Sequence, residues 1–75
     1  MRWSEIRHYT RGAATVRLLR RETMIPVPPS AAHMFIPRRR WRVVVQEPTN
    51  AHVLLETSAE ADAWAAYLRE SGDER

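Results

Sequence analysis

The sequence predicts an α+β domain: a small three-stranded antiparallel sheet packed by one C-terminal helix, with a Pro-rich loop between strands. Three observations predict it. Residues 40–56 hold β-branched and aromatic runs on either side of a turn sequence, residues 58–71 repeat apolar side chains at helical spacing, and four prolines fall between 26 and 37. At 75 residues the chain fits a single domain, 1–75.

Taken in order, residues 1–12 form an N-terminal segment, either a short strand or one or two helical turns ended at Gly12. Residues 15–25 alternate Val16 and Leu18 with Arg17 before Leu19 breaks the pattern, and a strand is preferred over a helix. The Pro-rich loop, 26–37, contains Pro26, Pro28, Pro29 and Pro37, none of which donates a ladder hydrogen bond, so it reads as a loop or sheet edge. In the hairpin, 40–56, Trp41, Val43 and Val45 share one face, and Arg42, Val44 and Gln46 share the other. Glu47-Pro48-Thr49-Asn50 supplies the turn. Because Val44 and Leu54 make the second face partly apolar, a cover besides the helix is expected there, from the N-terminal half or another subunit.

The helix, 58–71, follows the capping-box pattern Thr57-Ser58-Ala59-Glu60, and Ala61, Trp64, Ala65 and Leu68 fall on one stripe expected to face the core. Glu60 and Asp62 suit its N-terminus, Arg69 its C-terminus, and Gly72 a stop before a tail, 72–75.

Charge divides the chain. Residues 1–42 carry ten arginines against Glu5 and Glu22, a net of +8, while residues 43–75 carry Arg69 and Arg75 against seven carboxylates, a net of −5. All twelve basic residues are Arg, whose planar fork grips phosphate, carboxylate or an aromatic face. Such asymmetry points to a polyanion or to contact between copies. A core this small, with no cysteine to staple it, also makes a homodimer an expectation.

The densest cluster is Arg38-Arg39-Arg40-Trp41-Arg42, which Arg20 and Arg21 extend if the strand at 15–25 pairs beside it. Each phosphate neutralised releases counterions, and Arg grips two oxygens together. A solvated edge strand guarded by charge is the alternative. Met34, Phe35 and Ile36, with Val44 and Leu54, form a candidate protein interface, since exposed apolar clusters mark contact surfaces.

Enzymatic chemistry finds little footing. There is no Cys, no Gly-rich phosphate loop, and no metal spacing among His8, His33 and His52; no cofactor is expected. No run approaches the roughly 18 apolar residues of a membrane helix, and residues 1–8 lack a signal-peptide core, so a cytoplasmic location with no membrane partner is expected.

Arg40-Trp41-Arg42-Val43-Val44-Val45, then Leu54-Leu55-Glu56-Thr57, then Ala59-Glu60-Ala61-Asp62-Ala63-Trp64, resemble the arm-binding domains of phage integrases and their AP2-like relatives. The resemblance, over about residues 40–68, implies a three-stranded sheet laid in the DNA major groove. Arg42, Gln46 and His52 would then face bases, and Arg38, Arg39 and Arg40 would hold phosphates. The turn at 47–50 departs from that family in lacking Gly and basic residues.

The leading expectation is thus a small non-catalytic DNA-binding accessory or regulatory protein. The alternative is a protein-interaction module, a phage or mobile-element inhibitor or adaptor with an acidic protein partner. A small basic ribonuclease toxin using His8 or His33 ranks third.

Overall fold

The computed structural model describes residues 2–26 and 35–73, with the side chain of Pro26 excepted. Along these residues run β1 (Ser4–Arg11), β2 (Ala14–Pro26), β3 (Phe35–Glu47), β4 (Asn50–Thr57) and α1 (Glu60–Ser71). The strands form one antiparallel sheet in the order β1-β2-β3-β4, a plain meander. The sheet therefore has four strands where three were expected. The extra strand is β1, drawn from the N-terminal segment.

Turn chemistry sets the pairing. Gly12, at φ 60°, opens the two-residue loop between Arg11 and Ala14, while Ala13 stays at negative φ. Positive φ at the first central position alone is the type II′ pattern, whose twist matches the strands it joins. Pro48 and Thr49 make the other two-residue loop, between Glu47 and Asn50.

Alternation in β2 and β3 then divides the sheet into two faces. Val16, Leu18, Trp41, Val43 and Val45 are buried on one face, against Ala63, Ala66 and Tyr67 of α1. Among the described residues no strand or helix lies across the opposite, open face; β1 extends the sheet sideways, and Val44 is half-buried there.

The helix meets the sheet through a different stripe from the one expected. Its buried residues are Ala63, Ala66, Tyr67 and Ser71; Trp64 and Leu68 pack beside the core, and Ala61 and Ala65 are exposed. Two alanines let the helix backbone approach the sheet closely, and Trp64 meets Tyr67 edge-on at 5.8 Å. The capping box does not form either. Thr57 still belongs to β4, its hydroxyl accepts the Ala59 N–H at 3.0 Å, and Ala59 is the N-cap, with no side-chain cap bond. Gly72 ends the helix as expected, at φ 72° with its N–H on the Leu68 carbonyl.

The tail is anchored at Asp73. The Arg7 Nε–H donates to its Oδ2 at 2.6 Å and the Tyr67 hydroxyl donates to the same oxygen at 2.8 Å. This node ties β1 to the end of α1. Burial first, and the Asp73 carboxylate second, push the Tyr67 phenol up to about 12.

β1 pairs only as far as Ser4↔Arg20 and β4 only as far as Trp41↔Thr57, yet β2 and β3 continue together to Pro26↔Phe35. The last six rungs form a two-stranded ribbon beyond the four-stranded body. Its reach accounts for a radius of gyration of 15.1 Å, where a compact 75-residue domain would have about 11 Å. The two ends of the expected Pro-rich loop, Pro26 and residues 35–37, are therefore strand. Pro37 lies in β3 beyond the reach of β4, an edge setting that tolerates a residue without N–H. Residues 27–34, which include Pro28, Pro29, His33 and Met34, lie outside the described residues.

Candidate nucleic-acid interface

Pairing, not sequence adjacency, decides where the arginines point. Residues directly opposite share a face, so the open face carries Arg17, Arg21, Arg38, Arg40 and Arg42. Arg20 and Arg39 fall on the helix side. The six clustered arginines therefore surround the root of the ribbon and do not form one flat patch.

Their partners differ in kind. On the open face, Arg42 reaches Glu56 at 2.9 Å and Arg17 reaches Glu5. On the helix side, Arg39 Nε–H donates to Glu22 at 2.6 Å, and that hydrogen bond holds Glu22 below the usual carboxylate range. Arg20 stacks over the Trp41 ring at 5.9 Å. Among the described residues, Arg20, Arg21, Arg38 and Arg40 hold no carboxylate. On the open face of the ribbon Arg21, Arg38 and Arg40 hold no carboxylate among the described residues, while on its helix side the Glu22–Arg39 rung is an ion pair.

One participant left no signal in the sequence. Trp3, just ahead of β1, lies against the open face, with the Arg42 guanidinium 4.3 Å and the Arg21 guanidinium 4.8 Å from its ring centroid. The Nε of each arginine is closed off from solvent with no hydrogen-bond partner among the described residues. Trp3 holds these side chains down on the sheet while contributing no charge. A lone Trp near an N-terminus has no periodicity to expose it; only the fold brings it to residues 21 and 42.

Two bulges shift the rest of the face. In β1 the register slips between Glu5 and Arg7, so Glu5 and His8, which an even strand would put on opposite faces, both lie on the open one. His8 Nδ1 stands 3.0 Å from Glu5 Oε2, and the Arg17 Nε–H donates to Gln46 Oε1 at 3.2 Å. Partial burial pushes Glu5 up, but its contacts with Arg17 and His8 outweigh it and lower the carboxyl. In β4 the slip falls at Leu54, between the pairs Val44↔Val53 and Val43↔Leu55. His52 then opposes Val45 and shares the helix-side face, away from Arg42 and Gln46.

Of the candidate interface residues, Phe35, Ile36 and Leu54 are exposed and Val44 half-buried, but they do not form one cluster: Phe35 and Ile36 sit at the far end of the ribbon, and the others on the body. A shallow hollow elsewhere, lined by Glu60, Ala61, Trp64, Ala65 and Leu68, follows the outer side of α1. Among the described residues, no three His, Asp or Glu side chains group as metal ligands, and no helix is long and apolar enough to cross a membrane.

No family model, curated protein or solved structure matches the chain.

Proposed function

We propose that this chain is a non-catalytic nucleic-acid-binding protein, of accessory or regulatory type, that grips the phosphate backbone with the root of its β2–β3 ribbon. One observation carries the reading: Arg21, Arg38 and Arg40 share one face of a projecting ribbon without a carboxylate partner among the described residues. Arginines placed to stabilise the fold would be paired as Arg7 and Arg42 are. Unneutralised guanidinium groups repel one another, and phosphate oxygens relieve that repulsion while releasing counterions. The acidic helix packs on the other face of the sheet, so its charge stands apart from the open-face arginines. A cysteine-free chain suits the reducing cytoplasm, where we place it.

The ribbon also changes the geometry that the integrase-like resemblance implied. Base reading by Arg42, Gln46 and His52 from the flat of the sheet does not fit, because His52 faces the helix side and Arg42 is held by Glu56. The protruding strands offer the approach instead.

The test is a binding titration against duplex DNA across a salt series. The logarithm of affinity should fall with a slope of about −0.9 per phosphate contacted, and the triple variant Arg21→Ala, Arg38→Ala, Arg40→Ala should flatten that slope by two to three such contacts. An absence of binding at about 50 mM salt would remove the proposal.

A further inference from the structure

Helix α1 carries two apolar stripes, and the sheet uses one of them. Ala63, Ala66 and Tyr67 face the core, while Ala61, Trp64, Ala65 and Leu68 line the hollow on the outer side. Every residue around that hollow belongs to α1, so no other described element covers it. Trp64 and Leu68, two of the helix's three large apolar side chains, are only half-buried, and Ala61 and Ala65 are exposed. A surface helix with a single partner carries polar residues on its far face. A second apolar stripe turned to solvent marks a contact surface.

The order of sizes along this stripe says what fits it. From Ala61 to Leu68 it runs small, large, small, large, and read backwards it is the complement of itself. A second α1 laid antiparallel, with the two-fold axis between residues 64 and 65, sets Trp64 against the partner's Ala65 and Leu68 against the partner's Ala61. Each bulky side chain enters the space an alanine leaves, and the axes can approach to about 8 Å, the near end of helix-packing distances. A parallel pair would instead set Trp64 on the partner's Trp64. Charge agrees with the antiparallel register. Asp62 and Arg69 lie two turns apart on one flank of the stripe. Both are exposed, and neither forms an ion pair among the described residues. In a two-fold antiparallel pair like flanks meet, and Asp62 comes within about 3 Å, measured along the axis, of the partner's Arg69. The contact repeats across the axis, as an isologous interface requires.

We propose that the outer face of α1 is a dimer interface, occupied by the α1 of a second copy laid antiparallel and centred between Trp64 and Ala65. The two helices form the middle of a sheet–helix–helix–sheet stack, and the open faces of the two sheets look away from each other. The helix has 12 residues and is about 18 Å long. The contact is therefore well short of the roughly 1,600 Å² of a standard interface, and the dimer dissociates on dilution. The inference is independent of phosphate binding, because α1 lies across the sheet from Arg21, Arg38 and Arg40.

The experiment follows the whole chain by sedimentation equilibrium from about 1 µM to about 1 mM, a span that brackets a weak dimer. The parent should pass from monomer to dimer. Ala65→Glu, which sets a carboxylate beside the two-fold axis, should stay monomeric throughout. Asp62→Arg should weaken the dimer about fivefold to tenfold. Combining it with Arg69→Asp should recover most of that loss, although the pair of changes opposes the helix macrodipole at both ends. Because the chain has no cysteine, single replacements report the register directly. Ala65→Cys should form a disulfide-linked dimer under mild oxidation, whereas Ala61→Cys, about 10 Å from its copy along the axis, should not. All four positions are exposed, so each variant should keep the native circular dichroism spectrum. A parent that stays monomeric to about 1 mM overturns the inference. So does a dimer that Ala65→Glu leaves intact, that the charge exchange fails to restore, or that cross-links through position 61 in preference to 65.

Discussion

The same two strands serve as core and as projection, and only their neighbours differ. Between residues 14 and 20 and between 41 and 47, β2 and β3 lie between β1 and β4 with α1 across one face, and Val16, Leu18, Trp41, Val43 and Val45 are buried. From Arg21 to Pro26 and from Phe35 to Arg40 they have no flanking strand, and the described side chains there are exposed or half-buried. Strand identity therefore does not decide how much a residue stabilises the fold; lateral company does.

That contrast makes a large, directly measurable difference. Leu18→Ala or Val43→Ala, at fully buried positions, should destabilise the chain by about 2–5 kcal/mol and about 1–3 kcal/mol respectively in urea denaturation, since each opens a cavity under α1. Met24→Ala and Ile36→Ala, on the ribbon, should stay within about 0.5 kcal/mol of the parent. A ribbon substitution as costly as a core one would break the comparison.

Next in size is the node joining β1 to the helix end. Asp73→Ala takes away the acceptor of the buried Tyr67 hydroxyl and should cost about 1–3 kcal/mol. In the parent, a phenol titrating near pH 12 should be visible at the phenolate absorbance band, and in the variant that titration should move down. Because the folded value is raised, Tyr67 contributes stability in full below about pH 10. That contribution is lost as the pH climbs through about 12. Loss of stability in that window, absent in Tyr67→Phe, which has no proton to lose, and smaller in Asp73→Ala, would sharpen the assignment.

Amide exchange should repeat the contrast without mutation. Backbone groups at Leu18 and Val43 should exchange only on global opening, and those at Thr23 and Arg38 through local fraying, orders of magnitude faster. Smaller again is Trp3→Ala, expected to cost about 0.5–1 kcal/mol by releasing two guanidinium contacts. The released Arg21 and Arg42 should alter DNA affinity more than stability, which the salt titration reads. Last comes Glu22→Gln. Its ion pair with Arg39 is exposed, so the stability change should be barely measurable. The Glu22 carboxyl, held low by Arg39, contributes in full above the ordinary carboxylate value and loses that contribution as the pH falls from there through its lowered value.

How much of this the residues announced depends on how much each element buries. The hairpin turn at Pro48–Thr49, the helix and its Gly72 stop were legible because turn and cap chemistry is local. β1 was not, since it is an edge strand: Ile6 falls in the bulge and Tyr9 is 41% exposed, so no alternation survives in its sequence. The ribbon was hidden by its prolines, which argue for loop until an edge position accommodates Pro37. In the helix, hydrophobic size pointed to Trp64 and Leu68, whereas close approach to the sheet required the small Ala63 and Ala66. For the candidate site, the arginine cluster was legible but its division between two faces was not, because the β2–β3 register places each side chain. Trp3 acquires its role only from that register.

The meander has a consequence for how the molecule is made. Each strand pairs with the one just before it, so during synthesis the sheet can zip together as it emerges, starting at the Gly12 hairpin. The helix is the last described element to leave the ribosome, and until it docks, Val16, Leu18, Trp41, Val43 and Val45 face water together. A nascent chain stalled before residue 60 would therefore present a continuous sticky sheet, an opportunity for a chaperone and a hazard of aggregation.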